Sequence, residues 1–246
     1  MCGRFSAQMS WQQILDLYDL FPTRQTPPFA PRYNIAPTQP ILMVANDDAG
    51  ERHYGFVRWG FLPQWVKDPA DFTLIINARS ETAATKPSFR NAMRHRRALI
   101  PASGFCEWKR FGKGKRSQAY WVRPRDGSIV SFGALMETWS DPDGSQIDTG
   151  CILTTAANEG FADIHHRLPL VIMPEDFERW LDCKTQEPRD VFDLMRPVAD
   201  DYFEAIPVGD AVNKVANSSP DVQKRAEPIA EETSDTASDD SQMSLF

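Results

Sequence analysis

The spacing of apolar positions changes period several times along this 246-residue chain. Near the start, Ser10 is followed three residues later by Gln13, the layout of a capping box, and Trp11, Ile14, Leu15 and Tyr18 recur at helical spacing. Short apolar or alternating runs come next and predict strands over residues 41–45, 54–61, 74–76, 98–100, 119–122, 129–132 and 151–155. A proline-rich stretch (22–40) and turns such as 141–144 separate them. Two further helices are predicted late, over 174–181 and 189–195, with Pro174 suited to a first helical position. Many strands with few helices predict an α+β fold, a single β-dominated domain ending near residue 225.

Composition adds a core and removes some function classes. Hydrophobic residues make up 41% and aromatics 11% of the chain, ample for a packed interior. No apolar run approaches the roughly 18 residues of a membrane helix, and MCGRFSAQMS lacks the layout of a signal peptide. The expectation is a cytoplasmic protein without membrane contact. Cys2, Cys106, Cys151 and Cys183 do not stand at metal-ligand spacing with His53, His95, His165 or His166, so neither a metal nor another cofactor is expected. Reduced thiols fit that compartment.

Charge is uneven. There are 27 Lys+Arg against 34 Asp+Glu, a net charge of −7. Residues 226–246 hold six acids and no base, leaving a body of 27 basic and 28 acidic residues. After Pro228 the composition turns to Ala, Glu, Ser, Thr and Asp, which predicts a disordered acidic tail over 230–246. Within the body, residues 86–125 hold twelve Lys/Arg and one carboxylate, Glu107, with Phe89, Phe105, Trp108, Phe111, Tyr120 and Trp121 interleaved. Cations for phosphate and rings for unpaired bases are what a single-stranded nucleic-acid groove requires. A solvated face on a strand-rich domain would look the same.

Cys2 is the residue with distinctive chemistry. Initiator methionine is generally removed before a small second residue, and the chain would then begin with an α-amine and a thiol on adjacent carbons. Their ordinary pKa values are about 7.7–8.0 and about 8.5, so both have a reactive fraction near neutrality. Such a pair condenses with an aldehyde to an imine and then closes to a thiazolidine. Alternatively, an N-terminal cysteine attacks an amide with its own amine as base. Asn77 and Arg79 follow an apolar run, Glu107 is a carboxylate among aromatics and cations, and His165 and His166 can move protons near pH 6.5.

In order along the chain stand M-C-G-R-F, R-Y-N-I-A-P-T, W-G-F-L-P, I-N-A-R-S-E-T, G-F-C-E-W and I-H-H-R-L-P. Together they resemble the SRAP (SOS response-associated peptidase) family, proteins that attach covalently to abasic sites in DNA. The resemblance spans about residues 2–229. It implies a compact β-rich domain with a barrel-like core and the mature N-terminus at the floor of a DNA-binding cleft. It implies that Cys2 crosslinks, Asn77 positions the amine and sugar, Glu107 moves protons, and His165 is the functional histidine. It makes Arg4 and Arg79 phosphate-binding arginines and Pro37, Trp65 and Trp108 cleft residues near displaced bases. The family name adds a peptidase-like activity, at least on Met1. Two departures stand out: Val66 where many relatives carry a second tryptophan, and Val212-Asn213-Lys214-Val215, which only approximates the family's closing pattern.

Gln242, Leu245 and Phe246 resemble the Q-x-x-L-F peptide by which bacterial repair proteins dock on the replicative sliding clamp, an apolar hook on a polar tether. The leading expectation is therefore a bacterial DNA-repair protein of the SOS response. It would act as a monomer, be nucleoid-associated when bound, and form a covalent thiazolidine with abasic single-stranded DNA. A thiol peptidase or amidohydrolase using Cys2, and a non-covalent single-strand binding module, are the alternatives.

Overall fold

The computed structural model describes residues 2–21, 29–112 and 116–229. The chain forms β1 (Arg4–Ala7), α1 (Trp11–Tyr18), β2 (Arg32–Ile35), β3 (Pro40–Asn46), β4 (Arg52–Trp59), β5 (Asn77–Arg79), α2 (Ser80–Ala83), α3 (Arg90–His95) and β6 (Arg97–Ala102). It continues with β7 (Gly104–Arg110), β8 (Ser117–Pro124), β9 (Val130–Ser140), β10 (Gln146–Ala156), α4 (Glu159–Ala162), β11 (Arg167–Pro169), α5 (Phe177–Leu181) and β12 (Phe203–Val208).

Strands β10, β4, β3, β6 and β9 are hydrogen-bonded in that order, and β9 returns to pair with β10, closing a five-stranded barrel. β3 and β6 read as continuous apolar runs because the barrel and its coverings bury both of their faces. A second sheet runs β12-β8-β7-β1-β2. An aromatic seam joins the layers: Phe5 of β1 meets Trp59 edge-on at 5.2 Å, and Phe105 of β7 meets Phe132 of β9 at 6.1 Å. Such ring pairs add specific geometry to the area that they bury. Within the second sheet β7 and β8 approach closely at Gly104, where a Cβ would stand 2.4 Å from the Val122 carbonyl oxygen.

α1 starts as the sequence predicts. Ser10 Oγ accepts from the Gln13 N–H at 3.2 Å, and Gln13 Oε1 accepts from the Ser10 N–H at 2.8 Å. Elsewhere the boundaries move. Residues 74–76 do not form a strand: Ile75 makes an isolated bridge to Phe61, and the Ile76 carbonyl accepts from the Trp59 indole. The strand begins instead at Asn77. The predicted helix 189–195 is a 3-10 turn, Pro188–Leu194, while 174–181 divides into a 3-10 turn and the short α5. β1, β2, β7, β11 and β12 were not separable by pattern, and β2 lies inside the proline-rich stretch.

The basic window is largely architectural. Arg97 is 1% exposed and donates to the carbonyl oxygens of Trp180, Met93, Asp182 and Gln186 at 2.7–3.0 Å, fixing the end of α5 and the loop beyond. Arg94 pairs with Glu187, Arg96 with Glu137, Lys109 with Asp163, Arg116 with Asp210 and Arg123 with Glu204. The solvated-face reading therefore fits most of the window, corrected by its ion pairing. Lys113 and Lys115 lie outside the described residues. No helix is long and apolar enough to cross a membrane among the described residues.

Candidate active site and nucleic-acid interface

Cys2 enters the site from the start of β1. That strand lies between β2 and β7, with Arg4 opposite Cys106 and Phe5 opposite Phe105. The chain running back from Arg4 therefore passes the Glu107–Trp108 end of β7. Cys2 is 1% exposed. β5 approaches from the barrel side, held parallel to β10 with Asn77 opposite Ile152. From there Asn77 Nδ2 donates to the Cys2 carbonyl oxygen at 2.9 Å. Asn77 Oδ1 is buried and has no hydrogen-bond partner among the described residues.

Glu107, on β7, is 4% exposed, and its Oε1 accepts from the Trp108 N–H at 3.2 Å. Its charge reaches two other members of the site. Burial pushes the Cys2 thiol well above its ordinary value, and Glu107 and Cys106 push in the same direction. Burial also lowers His165, against the pull of Glu107, which favours the imidazolium. Near neutral pH the thiol is thus protonated and the imidazole neutral. His165 Nδ1 accepts from the Arg167 N–H at 3.0 Å. The same nitrogen lies 3.2 Å from the Arg167 carbonyl oxygen. The rings of His165 and His166 lie 4.3 Å apart, but His166 is exposed while His165 is half-buried and feels Glu107.

A cleft of about 930 Å³ opens over this cluster, lined by Arg79, Glu107, Trp108, Arg110, His165, His166 and Arg167 among others. Of the basic window's described cations, Arg110 is the one that lines it. Trp108 is held against the cleft wall by its indole Nε1, which donates to Asn213 Oδ1 at 2.8 Å. Among the described residues no group of three or more His, Cys, Asp or Glu side chains could hold a metal ion.

The remaining sequence-predicted residues sit farther out. Arg4 directs its guanidinium into the fold, donating to Asn34 Oδ1 at 2.9 Å, Val212 O at 2.8 Å and Asn213 O at 3.3 Å. With Asn34, which donates to the Val212, Lys214 and Asn217 carbonyl oxygens, it fastens the 212–217 segment beside Trp108. Pro37 occupies a turn at the end of β2, followed by Thr38 with φ +73°. Trp65 does not line the cleft. It is 58% exposed, edge-on to Phe72 at 5.6 Å, beside a separate apolar groove containing Leu62, Phe72, Leu74 and Ile147. Val66 is buried against Leu62 and Trp139. Gln242, Leu245 and Phe246 lie outside the described residues. Glu81 drew no role from the sequence because its partner, Arg167, is distant in the chain.

Known proteins resemble this chain in sequence and in fold. The family model for SRAP, SOS response associated peptidase, matches residues 1–215. A Bacillus subtilis protein named abasic site processing protein YoqW is 36% identical over 222 residues, covering 90% of this chain and 98% of that protein. Abasic site processing protein YedK of Escherichia coli is 35% identical over 185 residues, 74% of this chain and 79% of that one. A crystal structure of a Bacteroides thetaiotaomicron protein superposes with a TM-score of 0.78 over 92% of this chain and all of that chain, at 24% identity, which shows the fold. The chain belongs to the SRAP family.

Proposed function

We propose that this chain, once Met1 is removed, captures abasic sites in single-stranded DNA as a covalent thiazolidine on Cys2. The observation that carries this reading is the convergence of Asn77, Glu107 and His165, from three separate segments, around a buried Cys2 beneath a cleft with Arg79 and Arg110 on its wall. The names of YoqW and YedK as abasic site processing proteins support it.

An abasic sugar in its open form presents an aldehyde. The Cys2 α-amine adds to that carbon, and the carbinolamine loses water to give an imine. The thiol then adds to the imine carbon and its proton passes to nitrogen, closing the ring with one water released overall. Burial and the Glu107 charge keep the thiol protonated, so the amine makes the first attack. Asn77 orients Cys2 through its carbonyl and leaves Oδ1 as an acceptor for the amine. Glu107 and the neutral His165 exchange the protons that carbinolamine formation and dehydration require. Arg79 and Arg110 contact phosphates, and Trp108 offers a face to an unpaired base, so binding has little sequence preference. Removal of Met1 is the hydrolytic step to which the family's title corresponds. Gln242, Leu245 and Phe246 dock the chain on the replicative sliding clamp; deletion of residues 242–246 that leaves clamp pull-down intact would remove this part.

Intact-protein mass spectrometry before and after incubation with a single-stranded oligonucleotide carrying one abasic site tests the function. The expected result is loss of one methionine, then a DNA-sized adduct that survives denaturation and maps to Cys2. Cys2→Ala should bind the undamaged oligonucleotide and form no adduct. A processed chain that yields no adduct refutes the reading.

A further inference from the structure

A ring on which a base stacks serves only while its plane is held. The Trp108 backbone is held by its strand, opposite Ala119 of β8, and its half-buried ring packs against the apolar cluster that contains Cys106 and Val212. One edge is fixed from outside the sheet, where the indole Nε1 donates to Asn213 Oδ1 at 2.8 Å. An indole N–H only donates, so the amide must turn its oxygen toward the ring. Asn213 is set that way round: its Nδ2 donates to Asp210 Oδ1 at 3.3 Å, and Asp210 pairs in turn with Arg116.

Asn213 ends a 3-10 turn, Asp210–Asn213, that follows β12 and stands 105 residues from Trp108 in the chain. β2 anchors that turn from beneath. Asn34 of β2 is 5% exposed, and its Nδ2 donates to the carbonyl oxygens of Val212, Lys214 and Asn217 at 2.9–3.2 Å. Val212 is itself buried in the cluster on which the Trp108 ring packs. A buried amide thus fixes the segment, and the exposed amide of Asn213 carries that fixed position to the indole. The exposed bond is weak in water and strengthens where a bound base excludes solvent from it.

We propose that Asn213 is a positioning residue for DNA capture: seated on Asn34, it holds the Trp108 ring in the plane that receives the unpaired base beside the abasic sugar. This rests on the DNA-capture function proposed above. Trp108 and Glu107 are adjacent in the chain and line the same cleft, so a base held on the ring brings the neighbouring sugar toward Glu107 and Cys2. A ring that also samples other orientations binds with an affinity reduced by the fraction of time spent in the competent one.

The test is a double-mutant cycle in the full-length chain: wild type, Asn213→Leu, Trp108→Phe and the two combined, with Asn213→Ser as a milder truncation. Two quantities are read: affinity for an undamaged single-stranded oligonucleotide, and the tryptophan fluorescence quenching that it produces. Loss of one neutral hydrogen bond at an exposed site should weaken binding by about two- to fivefold in Asn213→Leu. Trp108→Phe keeps a ring and loses the N–H, so adding Asn213→Leu to it should cost nothing further. The part of the quenching that Trp108→Phe removes should also shrink in Asn213→Leu and Asn213→Ser. Losses that add in the double variant overturn the proposal, as does wild-type affinity in both Asn213 variants. A wild-type chain that shows the coupling and forms no adduct on the abasic oligonucleotide overturns the underlying function instead, while the positioning of Trp108 stands.

Discussion

Substitution of Asn77 separates two tasks that one amide performs. Asn77→Ala deletes the 2.9 Å bond to the Cys2 carbonyl oxygen. A buried acceptor deprived of its donor costs about 1–3 kcal/mol. Where that energy holds Cys2 in its reactive pose, crosslinking slows by about 5- to 150-fold, by the same factor at every pH. Asn77→Asp keeps the shape but sets a carboxylate beside the α-amine, and an opposite charge within about 4–6 Å raises an amine's pKa by about one unit or more. From an ordinary α-amine value near 7.8, the free-base fraction at pH 7 falls from about 14% to about 1.6%, a further loss of about ninefold. The raised pKa means that this second loss is present at low pH and disappears as pH climbs past the new value. A quenched time course at saturating protein, from about pH 6.5 to 9.5, should show Asn77→Asp converging on Asn77→Ala while Asn77→Ala stays a constant factor below wild type. A wild-type rate in Asn77→Ala, or a pH-independent deficit in Asn77→Asp, refutes the assignment.

Two further expectations concern stability and pH. Ser10→Ala opens the capping box of α1 and should cost about 1 kcal/mol, seen by calorimetry as a Tm lower by about 2–4 °C for a domain of this size. Burial holds His165 below its ordinary value against the opposing pull of Glu107. Below about pH 6.5 the unfolded chain therefore binds a proton that the folded chain resists, and stability falls with acid. His165→Gln should flatten that part of the denaturation-versus-pH profile, and an unchanged acid slope would show that His165 does not contribute.

Much of the site was legible because its residues announce themselves chemically. A second-position cysteine, a lone carboxylate in a basic window and a histidine pair are local signals, and the structure brings Cys2, Asn77, Glu107 and His165 together. α1 was legible for the same reason, since a capping box is a four-residue pattern. What escaped depends on long-range partners. The cations of the basic window read as a groove until Glu137, Asp163, Glu187 and Glu204 are seen to meet them. Arg4 is tied to Asn34, Val212 and Asn213 by hydrogen bonds that it donates across the fold, a second set of partners that its local sequence does not reveal. β1 and β2, four residues each, gain their identity from the neighbours that they pair with, which no window of sequence contains.

The tie between Arg4 and Val212 spans 208 residues, and it sets an order of events during synthesis. At about 5–20 residues per second the ribosome needs roughly 10–50 s to deliver this chain. Throughout that interval β1 lacks β7 and then the 212–217 segment, so its leading end is not yet built into the sheet. Once the last strands arrive, Cys2 is sealed at 1% exposure. The site that the proposed capture requires therefore exists only when the domain is whole.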